Sequence, residues 1–103
     1  MGPLHTVNKS PFSSTALRSC LAHATDDAAI LLIEDGVYGA LASAPSPSVE
    51  LAAAAERGAV YALGPDLVAR GLADSPLLAG TKVVDYQGFV ALAAERPSVV
   101  AWL

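Results

Sequence analysis

Apolar residues run unbroken through Ala28-Ala29-Ile30-Leu31-Leu32-Ile33, and the chain then turns to acid and glycine at Glu34-Asp35-Gly36. A short apolar run bounded by turn signals predicts a strand buried on both faces, the kind found inside a parallel sheet. We take this strand as the centre of the sheet. Glu34-Asp35-Gly36 is then the loop at its C-terminal end, where ligands and partners of open α/β sheets gather. Upstream, Leu4-His5-Thr6-Val7 predicts a first strand. Ser10 follows as a helix cap with Pro11 at the first helical position, and the helix runs to about Thr25. Ala16, Leu17, Cys20, Leu21 and Ala24 repeat at helical spacing and form its buried face.

Beyond Gly36, residues 37–42 predict a helical turn. Ser43-Ala44-Pro45-Ser46-Pro47-Ser48 reads as an exposed loop. Ser46 caps a second, alanine-rich helix with Pro47 at its first position and Glu50 in its first turn, and Gly58 ends it. Residues 59–63 form a third strand. Gly64-Pro65-Asp66 opens a short helix that Gly71 closes, residues 72–80 are loop, and Thr81-Lys82-Val83-Val84 is a fourth strand. Asp85 caps a last helix with Tyr86, Phe89, Val90 and Ala93 on one face, Pro97 ends it, and Val99-Val100-Ala101-Trp102 is an edge strand. Strands alternating with helices predict a single α/β domain over residues 1–103, with a mostly parallel sheet of about five strands and helices on both faces.

Composition adds a partner to this picture. Apolar residues make up 53% of the chain and charged ones only 16%, against a usual charged share of about 25%. A small domain this poor in charge is expected to turn apolar surface towards another subunit. The net charge is −4, and the basic residues Lys9, Arg18, Arg57, Arg70, Lys82 and Arg96 are scattered, which argues against direct nucleic-acid binding. No apolar run approaches the roughly 20 residues of a membrane helix. Met1-Gly2-Pro3 lacks the basic start of a signal peptide. The single cysteine allows no internal disulfide, in keeping with a reducing cytoplasm.

Cys20 is the only sulfur nucleophile. As a carrier it would act as thiolate, accept the terminal sulfur of a persulfide and yield it to the next thiolate. His23 stands one helical turn on and would stabilise that thiolate. The competing reading is a small buried hydrophobe, because Cys20 lies in the apolar stripe and past the first helical turn. His5, His23 and Cys20 do not form a zinc pattern, so no metal site is expected. Nor is a cofactor, since neither GxGxxG nor a phosphate-binding GKS/GKT run is present. Asp35-Gly36 fits a turn with glycine at positive φ. With Tyr38 it belongs to a polar edge suited to a partner, and Trp102 either joins such an interface or pins the strand end to the core.

Leu4-His5-Thr6, Ser10-Pro11-Phe12, Asp35-Gly36-Val37, Asp66-Leu67 with Ala69-Arg70-Gly71, Asp85-Tyr86 with Phe89-Val90, and Ala101-Trp102 occur in one order along the chain. This ordered set resembles the DsrH/TusB family over nearly the whole length. The resemblance implies a DsrE-like fold and a cytoplasmic sulfur-relay subunit in a heterohexamer with DsrE/TusD-like and DsrF/TusC-like subunits. It also implies a DsrC/TusE-like carrier that takes the sulfur on. In that family the principal sulfur-accepting cysteine belongs to the DsrE/TusD subunit. A further cysteine in the first helix marks the DsrH branch, so Cys20 points there and towards dissimilatory sulfur oxidation. A TusB-like structural subunit in 2-thiolation of the tRNA wobble uridine is the alternative. A flavodoxin-like ligand-binding module is the reading outside the family.

Overall fold

A computed structural model describes residues 1–44 and 48–103. Their strands are β1 (Leu4–Val7), β2 (Ala29–Leu32), β3 (Val60–Leu63), β4 (Lys82–Val84) and β5 (Val99–Trp102). They form one sheet in the order β4-β3-β2-β1-β5, and each pairing is parallel. The all-apolar run thus becomes the middle strand, with every residue of β2 buried. The expected fold class holds. The helices are α1 (Ala16–His23), α2 (Ser48–Glu56), α3 (Gly64–Ala69) and α4 (Tyr86–Glu95), with a 3-10 helix at Glu34–Ala40.

The order of the strands dictates the layers. From β1 to β4 the chain steps steadily in one direction across the sheet, so its right-handed crossovers fall on one face. There Leu17 and Cys20 of α1, Val37 and Ala40 of the 3-10 helix, Leu51, Ala54 and Ala55 of α2, and Leu67 of α3 pack on Val7, Ile30, Leu32, Val60 and Ala62. The connection from β4 to β5 runs back the other way and carries α4 to the opposite face. That second layer is thin: Leu92, with half-buried Phe89 and Ala93, covers Leu4, Ala29 and Leu31. Arg96, just past α4, closes this end by donating to the carbonyls of Gly2 and Asp27 at 3.2 and 2.8 Å.

Several local expectations change. Helix α1 begins at Ala16, five residues after Pro11. Residues 11–13 form a turn, and the Ser10 hydroxyl accepts from Phe12 N–H at 3.1 Å inside it. Ser10 therefore serves the turn and not the helix end. On α4 the buried stripe is Phe89, Leu92 and Ala93, while Tyr86 and Val90 are 61% and 67% exposed. The helix is apolar nearly all round, so its sequence period does not select one face. Asp85 does cap it, accepting from Gly88 N–H at 2.8 Å. The expected cap at Ser46 and Pro47 lies outside the described residues. Residues 72–80 fold back over the core, with Leu72, Leu77 and Leu78 half-buried and Leu77 bridged antiparallel to Leu41.

The loop after β2 holds the largest correction. Gly36 does not take positive φ; Glu34 does, at 49°. Gly36 is needed for a different reason. A Cβ there would lie inside van der Waals contact of the Val7 carbonyl oxygen, and Val7 is backbone that cannot swing away. Gly36→Ala is therefore expected to destabilise the fold by about 3 kcal/mol. Denaturant unfolding should show the loss as a lower midpoint at an unchanged slope.

Candidate functional site

The strand-end loops converge around the exit of β2. The Val7 carbonyl accepts from Ile33 N–H at 3.0 Å, which draws the end of β1 against the start of the 3-10 helix. The strained Glu34 donates its backbone N–H to Asp66 Oδ2 at 2.6 Å, tying this segment to α3. Arg70 completes the tie. Its Nε donates to Asp35 Oδ1 at 2.9 Å, and its Nη1 lies 3.8 Å from Asp66 Oδ1. The bond to Asp35 raises the Arg70 pKa further. With Asp35 61% exposed, such a pair adds little stability and serves to fix position. Tyr38 is half-buried and meets Phe12 edge-on, ring centres 6.5 Å apart, while Phe12 itself is 66% exposed. At the ends of β3 and β4 an open groove of about 450 Å³ is lined by Gly64, Pro65, Val83, Val84, Asp85 and Gly88.

Of the residues expected at this edge, Asp35 and Tyr38 reach the surface, and Gly36 is buried under Val7. Arg70 was not expected there, because its partners lie 35 and four residues away in sequence. The one signal for it was its place in the Ala69-Arg70-Gly71 motif.

Cys20 lies on the α1 face that packs against the sheet and is wholly buried. Burial pushes its thiol up to about 12. At neutral pH the group is a protonated thiol in an apolar layer, and a thiol is a poor nucleophile. His23, three residues on, is exposed. Its Nδ1 donates to the Ser19 carbonyl at 2.8 Å, and its ring lies 5.5 Å from that of Trp102. Trp102, half-buried, in turn donates from Nε1 to Nδ1 of buried His5 at 3.0 Å. Trp102 therefore pins β5 to β1 and α1. The sequence offers no sign of the His5–Trp102 bond, because it spans 97 residues. Among the described residues no group of three or more His, Cys, Asp or Glu side chains is placed to hold a metal ion.

The apolar surface expected for a subunit is present in pieces. Phe12, Val68, Val83, Tyr86 and Val90 are each more than half exposed. Tyr86, Gln87, Val90, Ala91 and Ala94 line a shallow trough on the outer face of α4. Among the described residues no helix is long and apolar enough to cross a membrane.

Comparison with known proteins places this geometry in context. The family model described as DsrH like protein matches residues 9–99. The chain is 34% identical over 99 residues to Protein TusB of Pectobacterium parmentieri, covering 96% of this chain and 99% of that one. It is 38% identical over 102 residues to Protein TusB of Erwinia tasmaniensis and 34% over 105 to that of Escherichia coli K12, with the same coverage. The crystal structure of the ychN protein from E. coli superposes with a TM-score of 0.76 over 98% of this chain and 99% of that one. At 16% identity the likeness is one of fold.

The buried thiol yields a direct expectation. In the native protein at pH 8, Cys20 should alkylate about a hundredfold more slowly than in the unfolded chain. Intact mass after timed quenching measures this. Because the folded thiol titrates near 12 against an ordinary value of 9.0, the unfolded chain loses this proton first as pH rises. The stability contributed by the buried thiol is full below pH 9.0 and declines as pH rises from there towards 12.

Proposed function

The chain belongs to the DsrH/TusB family, and from that premise we propose that it is a structural subunit of a cytoplasmic sulfur-relay complex, on the TusB side of the family. The observation that carries this reading is the end-to-end match to proteins named TusB, which covers 96% of this chain and 99% of those relatives. In this reading the complex passes persulfide sulfur towards 2-thiolation of the tRNA wobble uridine. Sulfur oxidation, the function first expected from the cysteine in the first helix, rests on that cysteine, and Cys20 is buried in the core.

The role assigned to the chain is architectural. It offers surfaces to DsrE/TusD-like and DsrF/TusC-like subunits in a heterohexamer, and those subunits supply the reactive thiol that hands sulfur to a DsrC/TusE-like carrier. Asp35, Tyr38 and the exposed Phe12 beside it form one contact region, fixed from below by Gly36. The Trp102 corner forms another. Cys20 serves packing, and His23 serves the Trp102 corner. A relay through Cys20 would require α1 to move off the sheet and expose it.

Co-expression with the two homologous subunits is expected to yield one stable complex containing all three chains. A chain that purifies as a monodisperse monomer and leaves the other two behind contradicts the proposal. When the assembled complex is treated with a persulfide donor, intact mass should show added sulfur on a partner and none on this chain. Added sulfur here that Cys20→Ser abolishes would establish Cys20 as a carrier. Tyr38→Asp is expected to weaken assembly at least tenfold, as charge in an apolar contact does, while leaving the unfolding midpoint of the isolated chain nearly unchanged.

A further inference from the structure

The two histidines that bracket Trp102 are bonded in opposite senses. Ser19 O can only accept, so His23 carries a proton on Nδ1. The indole N–H of Trp102 can only donate, so His5 Nδ1 must be bare, with the ring proton on Nε2. Protonating His23 adds a proton at Nε2 and leaves its bond to Ser19 intact. Protonating His5 places a proton on Nδ1, where two donors then face each other. The bond is lost, and the half-buried indole N–H loses its partner.

The position of this bond in the sheet gives it leverage. Among the described residues β5 pairs only with β1, and Val99, Val100 and Ala101 are exposed. Trp102 is the one β5 residue packed against the main core layer. Little besides the backbone ladder and this corner holds the strand. The charge that bears on His5 is the like charge of His23. Neighbouring β2 and β5 carry no titratable side chain. On α1, His23 faces it, Cys20 is buried in the core layer, and Arg18 lines a groove on the α2 side.

We propose that the His5–Trp102 bond is a pH-sensitive latch: protonation of His5 at Nδ1 releases the Trp102 corner, frays β5 and uncovers the outer edge of β1. This inference does not depend on the functional reading. Burial first, and then the charge of His23, lower the His5 pKa below 6.5. The unfolded chain therefore binds this proton more readily. The stabilising contribution is full above pH 6.5 and is lost as pH falls through the folded value.

The test is NMR of the whole chain between pH 7.5 and 4.5, reading the histidine ring nitrogens, the Trp102 indole proton and the protection factors of the β5 amides. Trp102 is the sole tryptophan, so its indole signal needs no assignment by mutation. At pH 7.5, His5 should be bare at Nδ1 and protonated at Nε2. As it titrates below pH 6.5, protection of Val100, Ala101 and Trp102 should fall roughly tenfold, the loss expected for one buried hydrogen bond. The step should persist in His23→Gln. In Trp102→Phe, which keeps a ring but has no donor, β5 protection should already be low at pH 7.5 and independent of His5. The proposal is overturned if His5 carries its proton on Nδ1 at neutral pH. It is equally overturned if β5 protection stays constant while His5 titrates, or if the step follows His23. The wild-type measurements decide even if a variant does not fold.

Discussion

The carbonyl oxygen of Val7 is the point on which the architecture turns. It closes the last bond between β1 and the exit of β2, and it sits where a side chain on the 3-10 helix would have to go. A glycine at position 36 lets that helix lie directly on the strand end. Val37 and Ala40 can then enter the core, and Asp35 is turned outward to meet Arg70. The positive φ of Glu34 follows from the same constraint. The chain must turn within one residue of leaving the strand, and the strain is held by the bond from Glu34 N–H to Asp66.

From this point the two faces of the sheet diverge. One carries α1, the 3-10 helix, α2 and α3 in a dense apolar layer that takes in Cys20. Among the described residues the other has only α4, whose outer side is nearly as apolar as its inner one. A chain this poor in charge cannot clothe both sides and both sheet edges in polar groups, and what is left bare is what a subunit would present. The same asymmetry bears on chemistry. A cysteine held in the thick layer is protonated and shielded, so the fold spends it on packing.

Much of this was legible in the sequence. The unbroken run at residues 28–33 reads as a strand covered on both sides, and Ala29–Leu32 within it forms the central strand. Gly58 and Gly71 end their helices at φ of 74° and 70°, and Asp85 caps α4. What was not legible came from contacts distant in sequence or from patterns that satisfy two structures. Ser10-Pro11 suits a turn as well as a helix start. On α4, Tyr86 and Val90 fit the helical period as well as Leu92 does, and only the sheet selects between them. The reason for Gly36 lies in Val7, and the partner of Trp102 is His5, 97 residues away along the chain. The resemblance had marked both His5 and Trp102 without joining them.

The central claim is that the chain serves the relay as a scaffold and not through its thiol. The most direct measurement is the 2-thiouridine content of tRNA from cells whose sole copy of this chain carries Cys20→Ala. The account predicts wild-type levels in those cells and loss of the modification when the whole chain is deleted. Loss in the Cys20→Ala cells, with the variant protein present and assembled, would contradict it.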